Sequence, residues 1–205
     1  PAGYDKVENG LTVTNTYQIP TTGTATAEKV WKNGPILKDT IWFQLWRTKE
    51  GAADEIVAGA EILELPHGTT EVTWTGLETT DLGGNEYEFF VVEGVLENGV
   101  FTKKAPAHYS MDTVNDLTVT NTYNIPNIPL VTAVKVWDGG PAESRPVIGL
   151  GIFRHLDTEE AVENPEADVI AGASVKMLAG TTTASWPQLQ ETDINGVKYV
   201  YYVRE

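Results

Sequence analysis

The chain repeats itself. Leu11-Thr12-Val13-Thr14-Asn15-Thr16-Tyr17 returns letter for letter as Leu117-Thr118-Val119-Thr120-Asn121-Thr122-Tyr123, 106 residues later. Lys29-Val30-Trp31 returns as Lys135-Val136-Trp137 at the same spacing. Farther on the spacing widens to 112 residues: Trp74 answers to Trp186, and the run Tyr87 to Glu93 answers to Tyr199 to Glu205. A period of this size is a whole domain rather than a solenoid unit. The extra residues of the second copy fall most simply in the polar stretch Asp157 to Asp168. The repeat divides the chain into residues 1–20, the end of a preceding or partner copy, 21–125, a complete copy, and 126–205, a copy lacking its last strand. On this division residues 1–17 are a strand of the kind the last copy lacks. The Pro-containing junctions Gln18-Ile19-Pro20 and Asn124-Ile125-Pro126-Asn127-Ile128-Pro129 read as short, stiff linkers. Beginning at Pro1 and stopping inside a strand pattern, the sequence reads as a piece of something longer.

Within a copy the pattern is strands and turns. The expected strands are 24–31, 40–47, 55–64, 70–75, 87–93 and 117–123. Threonine, valine and aromatic residues dominate them, and Gly, Asn, Asp and Pro cluster between them. No stretch has the period of a long amphipathic helix. Short strands at this spacing predict an all-β fold of tandem Ig-like sandwich modules, elongated along the chain.

Composition narrows the function classes. With 14 basic against 29 acidic residues and a net charge of −15, nucleic acid and anionic membrane are unfavourable partners. The chain has no cysteine, so disulfides are excluded. No apolar run approaches the roughly 18 residues of a membrane span, and no signal peptide opens the sequence.

Three polar residues break apolar faces in the complete copy. Asn121 lies on the side of its strand that carries Leu117, Val119 and Tyr123. Lys29 is in line with Ala27 and Trp31, and its counterpart Lys135 with Val131, Ala133 and Trp137. Glu93 is in line with Tyr87, Phe89 and Val91, and its counterpart Glu205 with Tyr199, Tyr201 and Val203. A buried amide costs a few kcal/mol, about 1 to 3 on mutational scales, unless something answers it. Lysine, carboxylate and amide can answer one another. Burial disfavours charge, which lowers the pKa of an amine and raises that of a carboxylic acid. A neutral amine is a nucleophile towards the amide carbon. An acid beside them can polarise the carbonyl and carry the proton with which ammonia leaves. The product is a Lys–Asn isopeptide bond in one turnover, with fixed geometry in place of rate.

Lys-Val-Trp near the start of a copy, Tyr-x-Phe/Tyr-x-Val-x-Glu late and Val-Thr-Asn-Thr-Tyr at the end resemble the Cna protein B-type (CnaB) domains. These form stalks of Gram-positive surface adhesins and pilins, and the resemblance in order and spacing covers essentially the whole chain. It implies that Lys29 is the amine donor, Asn121 the acceptor and Glu93 the proton-relay acid. Lys135 and Glu205 match the same motifs in the last copy, which has no Asn of its own. Asn15 matches the acceptor motif, with no Lys or Glu of its own copy in the chain. Two readings of this stay open: head-to-tail self-association through residues 1–17, which would join Lys135 of one chain to Asn15 of the next with Glu205 assisting, or boundaries that merely reflect where the fragment was cut. The implied protein is a structural stalk module on the bacterial cell wall. It needs no cofactor or metal, and its partners are neighbouring repeat domains and an unknown host ligand.

Plainer readings exist for each residue. A lysine beside a tryptophan can stack on the ring, an Asn near a strand end is often a turn residue, and a Glu after an aromatic strand often marks its exit to solvent. Their joint recurrence outweighs these. The alternative function is a ligand-binding adhesive module recognising a host protein or glycan, hinted at by Trp42, Trp46 and the insertion at 157–168. A turnover enzyme is the least supported class, since no nucleophile–His–acid set emerges. His67, His108 and His155 are not at metal-ligand spacing. Asp81-Leu82-Gly83-Gly84-Asn85 lies between strands, as a turn rather than a phosphate loop. The acidic stretch Glu159-Glu160 to Asp168 is expected as a solvated loop, with weak calcium binding as the lesser reading.

Overall fold

A computed structural model describes residues 1–112, 116–158 and 174–205 of the chain. Among these residues the regular structure is all strand, apart from one turn of 3-10 helix at Ala142–Ser144. Backbone contacts gather the chain into two units: Pro1–Lys32 with Leu37–Thr122, and Asn33–Ile36 with Tyr123–Glu205. No helix among the described residues is long and apolar enough to cross a membrane.

The first unit opens with a hairpin. Strands β1 (Tyr4–Asn9) and β2 (Thr12–Tyr17) pair antiparallel around the two-residue loop Gly10-Leu11. Gly10 sits at φ 61°, the left-handed conformation that such tight loops require. Residues 1–17, expected as a single strand, are thus two.

A sandwich follows. Strands β3 (Gly23–Lys32), β7 (Glu71–Leu77), β10 (Tyr109–Met111) and β11 (Thr118–Tyr123) make one sheet in the order β10-β11-β3-β7. Strands β4 (Ile41–Thr48), β5 (Glu55–Ile56), β8 (Glu88–Glu97) and β9 (Val100–Lys103) make the other in the order β5-β4-β8-β9, and β6 (Leu63–Leu65) also pairs with β4. Alternation along each strand fills the space between them. Ala25 and Ala27 of β3 meet Ile41, Phe43 and Leu45 of β4, with Leu65, Trp74, Val91 and Val119 around them. The alanines leave room on their face of β3 for a larger side chain, and the next one on that face is Lys29.

The strand expected at 55–64 is broken. Glu55–Ile56 and Leu63–Leu65 are separate pieces on either side of a turn in which Ala60 N–H bonds to the Val57 carbonyl and Gly59 takes φ 78°. Conversely, the 94–105 stretch, which falls outside the expected strands, is largely strand. β8 runs on to Glu97 and turns back into β9 through Asn98 and Gly99, both at positive φ (52° and 78°).

The second unit keeps a subset of these parts. Strand β12 (Asn127–Val134) pairs antiparallel with β15 (Thr183–Gln190). Strands β14 (Val175–Met177), β13 (Ile148–Leu156) and β16 (Tyr199–Arg204) form a sheet in the order β14-β13-β16. Leu150, Ile152, Met177, Ala184, Trp186 and Leu189 make its core. By the repeat, β12, β13, β14, β15 and β16 stand for β3, β4, β6, β7 and β8. Among the described residues nothing stands for β9, β10 or β11. Most of the acidic insertion at 157–168, with the calcium binding weighed for it, lies outside the described residues.

Candidate functional site

The first and last strands of the complete copy lie side by side. β11 pairs with β3 in parallel, with Val119 opposite Lys29 and Asn121 opposite Trp31. The division of labour along β3 is sharp. β7 pairs with residues 23–28, and β11 holds residues 28–32. The Lys-Val-Trp segment is therefore strand because β11 is there. Glu93 comes from the facing sheet, on β8, where it pairs in register with Phe43 of β4.

These placements bring the three residues to one point. Lys29 Nζ lies 2.9 Å from Glu93 Oε2, and both side chains are wholly shielded from solvent. Asn121 Nδ2 donates to Glu93 Oε1 at 2.6 Å. Asn121 itself is fully buried, and its Oδ1 has no hydrogen-bond partner. Lys29 Nζ also reaches the Val119 carbonyl at 3.4 Å and the Val30 carbonyl at 3.5 Å. Glu93 thus touches the amine with one oxygen and the amide with the other.

Burial strips the Lys29 ammonium of its hydration and holds its pKa below the ordinary lysine value. The Glu93 carboxylate pulls in the opposite direction by charge and hydrogen bonding, as does Asp112 more weakly, and burial prevails. The environment therefore makes this amine easier to deprotonate than an exposed lysine. Beneath it lies the Trp31 ring, with Nζ 4.4 Å from the centroid, and Tyr109 packs edge-on against that ring at 5.0 Å.

The other predicted residues are apart from this point. Lys135 Nζ and Glu205 Oε2 are 2.7 Å apart, with side chains 24% and 49% exposed, and Nζ lies 4.7 Å from the Trp137 ring. The lysine–carboxylate–tryptophan grouping is repeated in the second unit, without an amide. Asn15 is on β2, exposed, and opposite Lys6 in the hairpin register.

Sequence reasoning missed some of the surroundings. Phe43, which walls the carboxylate, was visible only as one more alternating apolar residue. Asp112, Tyr109 and the Val119 carbonyl gave no signal, because their proximity comes from the β10–β11 fold-back. Gly94, beside Glu93, also has a role: a Cβ there would strike the Thr102 carbonyl oxygen and the Phe101 ring as β9 crosses.

The weaker candidates are structural. Asp81 closes a turn, accepting from the N–H groups of Gly83 (2.7 Å) and Asn85 (3.0 Å) and from Lys49 Nζ at 2.7 Å. The Asn85 side chain, followed by Lys49, holds its carboxyl well below the usual carboxylate range. Asp193 builds the same turn in the second unit with Asn195 and Val197. His67 accepts from the Lys38 N–H, and His155 lies beside the Leu156 carbonyl. No group of three or more His, Cys, Asp or Glu able to hold a metal ion occurs among the described residues. Trp42 and Trp46 are half-buried on the outer face of β4, where Trp46 stacks on Phe90 at 6.1 Å.

No family model matches the chain. It is similar to a collagen adhesin of Staphylococcus aureus, 35% identical over 127 residues that make up 62% of this chain and 10% of that protein. The chain spans about a tenth of the length of this relative. The likeness supports a relation to Cna-type surface adhesins, without separating one domain type from another.

Proposed function

We propose that the chain is a stalk segment of a Gram-positive surface adhesin or pilus. Its repeat modules are stiffened by self-formed Lys–Asn isopeptide bonds, and Lys29 and Asn121 form the bond of the complete module. The observation that carries this reading is the single buried point at which Glu93 touches both the amine and the amide. A water-excluded site holding amine, acid and amide in contact has no use as a surface salt bridge, and it has the parts of an acyl transfer.

The chemistry balances within the three residues. The neutral amine of Lys29 attacks Asn121 Cγ, and a bond forms between Nζ and Cγ. Half a turn of the Asn121 amide exchanges its oxygen and nitrogen and sets Oδ1 against Glu93. A proton on the carboxyl then stabilises the developing oxyanion. Glu93 relays a proton from Nζ to Nδ2, the Cγ–Nδ2 bond breaks, and ammonia departs. The two charges that were costly to bury are gone.

The gain is mechanical as well as thermodynamic. The bond closes the 92 residues between Lys29 and Asn121, and the chain-entropy model of crosslinks assigns about 4 to 5 kcal/mol to such a loop. Because it joins the first and last strands, pulling force passes through covalent bonds and bypasses the sandwich. Intact mass spectrometry tests the reading. The folded protein is expected to weigh about 17 Da less than its sequence, one ammonia per bond; an unshifted mass overturns it.

A second reading has its own observation. Trp42, Trp46 and Phe90 share the outer face of β4 and β8, and the similar staphylococcal protein is named a collagen adhesin. An adhesive surface for a host matrix protein of that kind would use this face. Saturable binding of the chain to immobilised collagen, lost in a Trp42→Ala/Trp46→Ala variant, would establish it.

A further inference from the structure

The complete copy and its repeat treat one sheet edge differently. β7 is the last strand of its sheet, and among the described residues no strand pairs with its outer side. The register determines which backbone groups face that way. The Lys29 N–H bonds to the Thr70 carbonyl, so the alternate pairs Ala27 with Val72 and Ala25 with Trp74 are the hydrogen-bonded ones. The N–H and C=O groups of Thr73 and Thr75 therefore point away from β3. The hydroxyls of Thr26 and Thr73, 3.0 Å apart, fit the closer side-chain spacing of a non-hydrogen-bonded pair. In the second unit the Lys135 N–H bonds to the Thr182 carbonyl, and the same alternation turns the nitrogen of Pro187 outward from β15. Pro187 is the counterpart of Thr75, 112 residues on. A proline there has no N–H to offer, and its ring obstructs an approaching strand, which is a usual protection of a sheet edge. The first unit carries threonine instead and leaves its edge open.

A cleft of about 580 Å³ lies beside this edge, between β7 and the 57–61 turn that joins β5 to β6. Trp74 reaches across it, its indole N–H bonded to the Glu61 carbonyl at 2.8 Å, and Val57, Leu63 and Leu77 add an apolar lining. The rim is acidic. Glu61 and Glu78 belong to it, and the basic Arg47 is already shared between Glu55 at 2.8 Å and Glu78 at 2.9 Å. Glu71 stands exposed at the start of β7.

We propose that the outer edge of β7 is a strand-addition site for an extended segment of a partner protein in which apolar and basic residues alternate. The backbone of the segment pairs with the free groups of Thr73 and Thr75. Its two-residue period sends one set of side chains into the cleft over Trp74 and leaves the other set on the side of Glu71, Thr73 and Thr75. The apolar lining fits the first set, and the acidic surroundings select lysine or arginine in the second. The same charge disfavours a second copy as the occupant, since the chain carries a net charge of −15. The site needs neither the Lys29–Asn121 bond nor a neighbouring module, so it stands apart from the stalk function proposed above.

The full chain is titrated against a fluorescent, end-capped peptide of alternating valine and lysine, with a valine–glutamate peptide as control. Fluorescence polarisation is expected to show saturable binding of the first and none of the second. Thr75→Pro installs the block of the second unit at a position whose N–H lies outside the β3–β7 ladder. It is expected to weaken binding about tenfold or more with little change in the thermal unfolding midpoint. Glu61→Gln is expected to weaken binding less and to flatten its salt dependence. Hydrogen exchange reads the wild-type chain directly: the Thr73 and Thr75 amides should exchange quickly in the free protein and slow when the valine–lysine peptide binds. Failure of that peptide to bind, equal binding of the acidic peptide, binding indifferent to Thr75→Pro, or protection confined to other amides each overturns the proposal. So does a free chain that dimerises with these two amides already protected, which would make a second copy the occupant.

Discussion

Lys29 with Glu93, and Lys135 with Glu205, are one motif in two environments. Both amines sit within 2.9 Å of their carboxylates and over a tryptophan ring. The first pair is sealed, and the second is 24% and 49% exposed. The difference is what β11 contributes. It supplies the amide, and it also supplies the wall: with β11 present the Lys-Val-Trp segment is strand, the face bearing Ala25 and Ala27 is shut, and the amine loses its water. Without such a strand, Val131 and Ala133 at the matching positions are only half-buried. The last strand of the sandwich thus brings the amide and creates the buried environment of the amine. On the proposed chemistry, completion of the fold and readiness for the reaction are the same event.

Removing the acid should separate the two units most widely. Glu93→Ala leaves the Lys29 amine buried without its partner and blocks the crosslink. Breaking a buried pair alone costs about 3 to 5 kcal/mol, so thermal unfolding of the first unit is expected to drop sharply and the mass to match the sequence. Glu205→Ala removes an exposed partner and is expected to change the stability of the isolated chain by no more than about 1 kcal/mol. Equal effects of the two changes in calorimetry would remove the distinction drawn here.

Asn121→Ala is next in size. It leaves the Lys29–Glu93 pair in place and removes the electrophile together with its hydrogen bond to Glu93 Oε1, so its expected cost is chiefly that of the lost loop closure, about 4 to 5 kcal/mol. The first-unit transition should fall in temperature while the second-unit transition stays put. An Asn121→Ala protein that keeps the ammonia deficit would show that another amide had reacted.

How far the sequence revealed this site depends on the range of the contacts. Strand alternation put Lys29, Glu93 and Asn121 on apolar faces, and the structure buries all three. The repeat located their counterparts. What alternation could not reveal was the pairing partner of each strand. That β11 runs parallel to β3, and that β8 carries Glu93 towards the junction, are non-local facts of the sandwich. Local misreadings had local causes. Residues 55–64 look continuous by composition, but Gly59 at φ 78° breaks the strand. Residues 94–105 look like a loop, but Asn98-Gly99 is a hairpin turn whose flanks pair. Residues 1–17 look like one strand by the repeat, but the turn at Gly10, at φ 61°, folds Tyr4–Asn9 back on Thr12–Tyr17.

The finest test concerns the proton on Lys29, and it needs a chain in which the amine survives. In the Asn121→Ala background Lys29 remains a titratable amine whose folded pKa lies below the ordinary 10.5. Between that lowered value and 10.5 the unfolded chain binds the proton and the folded chain does not. Stability should therefore rise with pH through this window and level off above it. Below the folded pKa both states hold the proton and the dependence vanishes. Other lysines and tyrosines titrate in the same range, so the comparison is with Lys29→Met/Asn121→Ala, in which every other group is unchanged. The difference between the two denaturation curves isolates the one amine. On the proposed chemistry the amide bond of the wild-type chain consumes that amine, and replacing Lys29 there should remove the crosslink without removing any pH-dependent increment of this kind. A difference curve that is flat, or that falls with rising pH, would mean that Glu93 outweighs burial and keeps Lys29 charged, leaving the nucleophile unavailable until the carboxylate itself takes the proton.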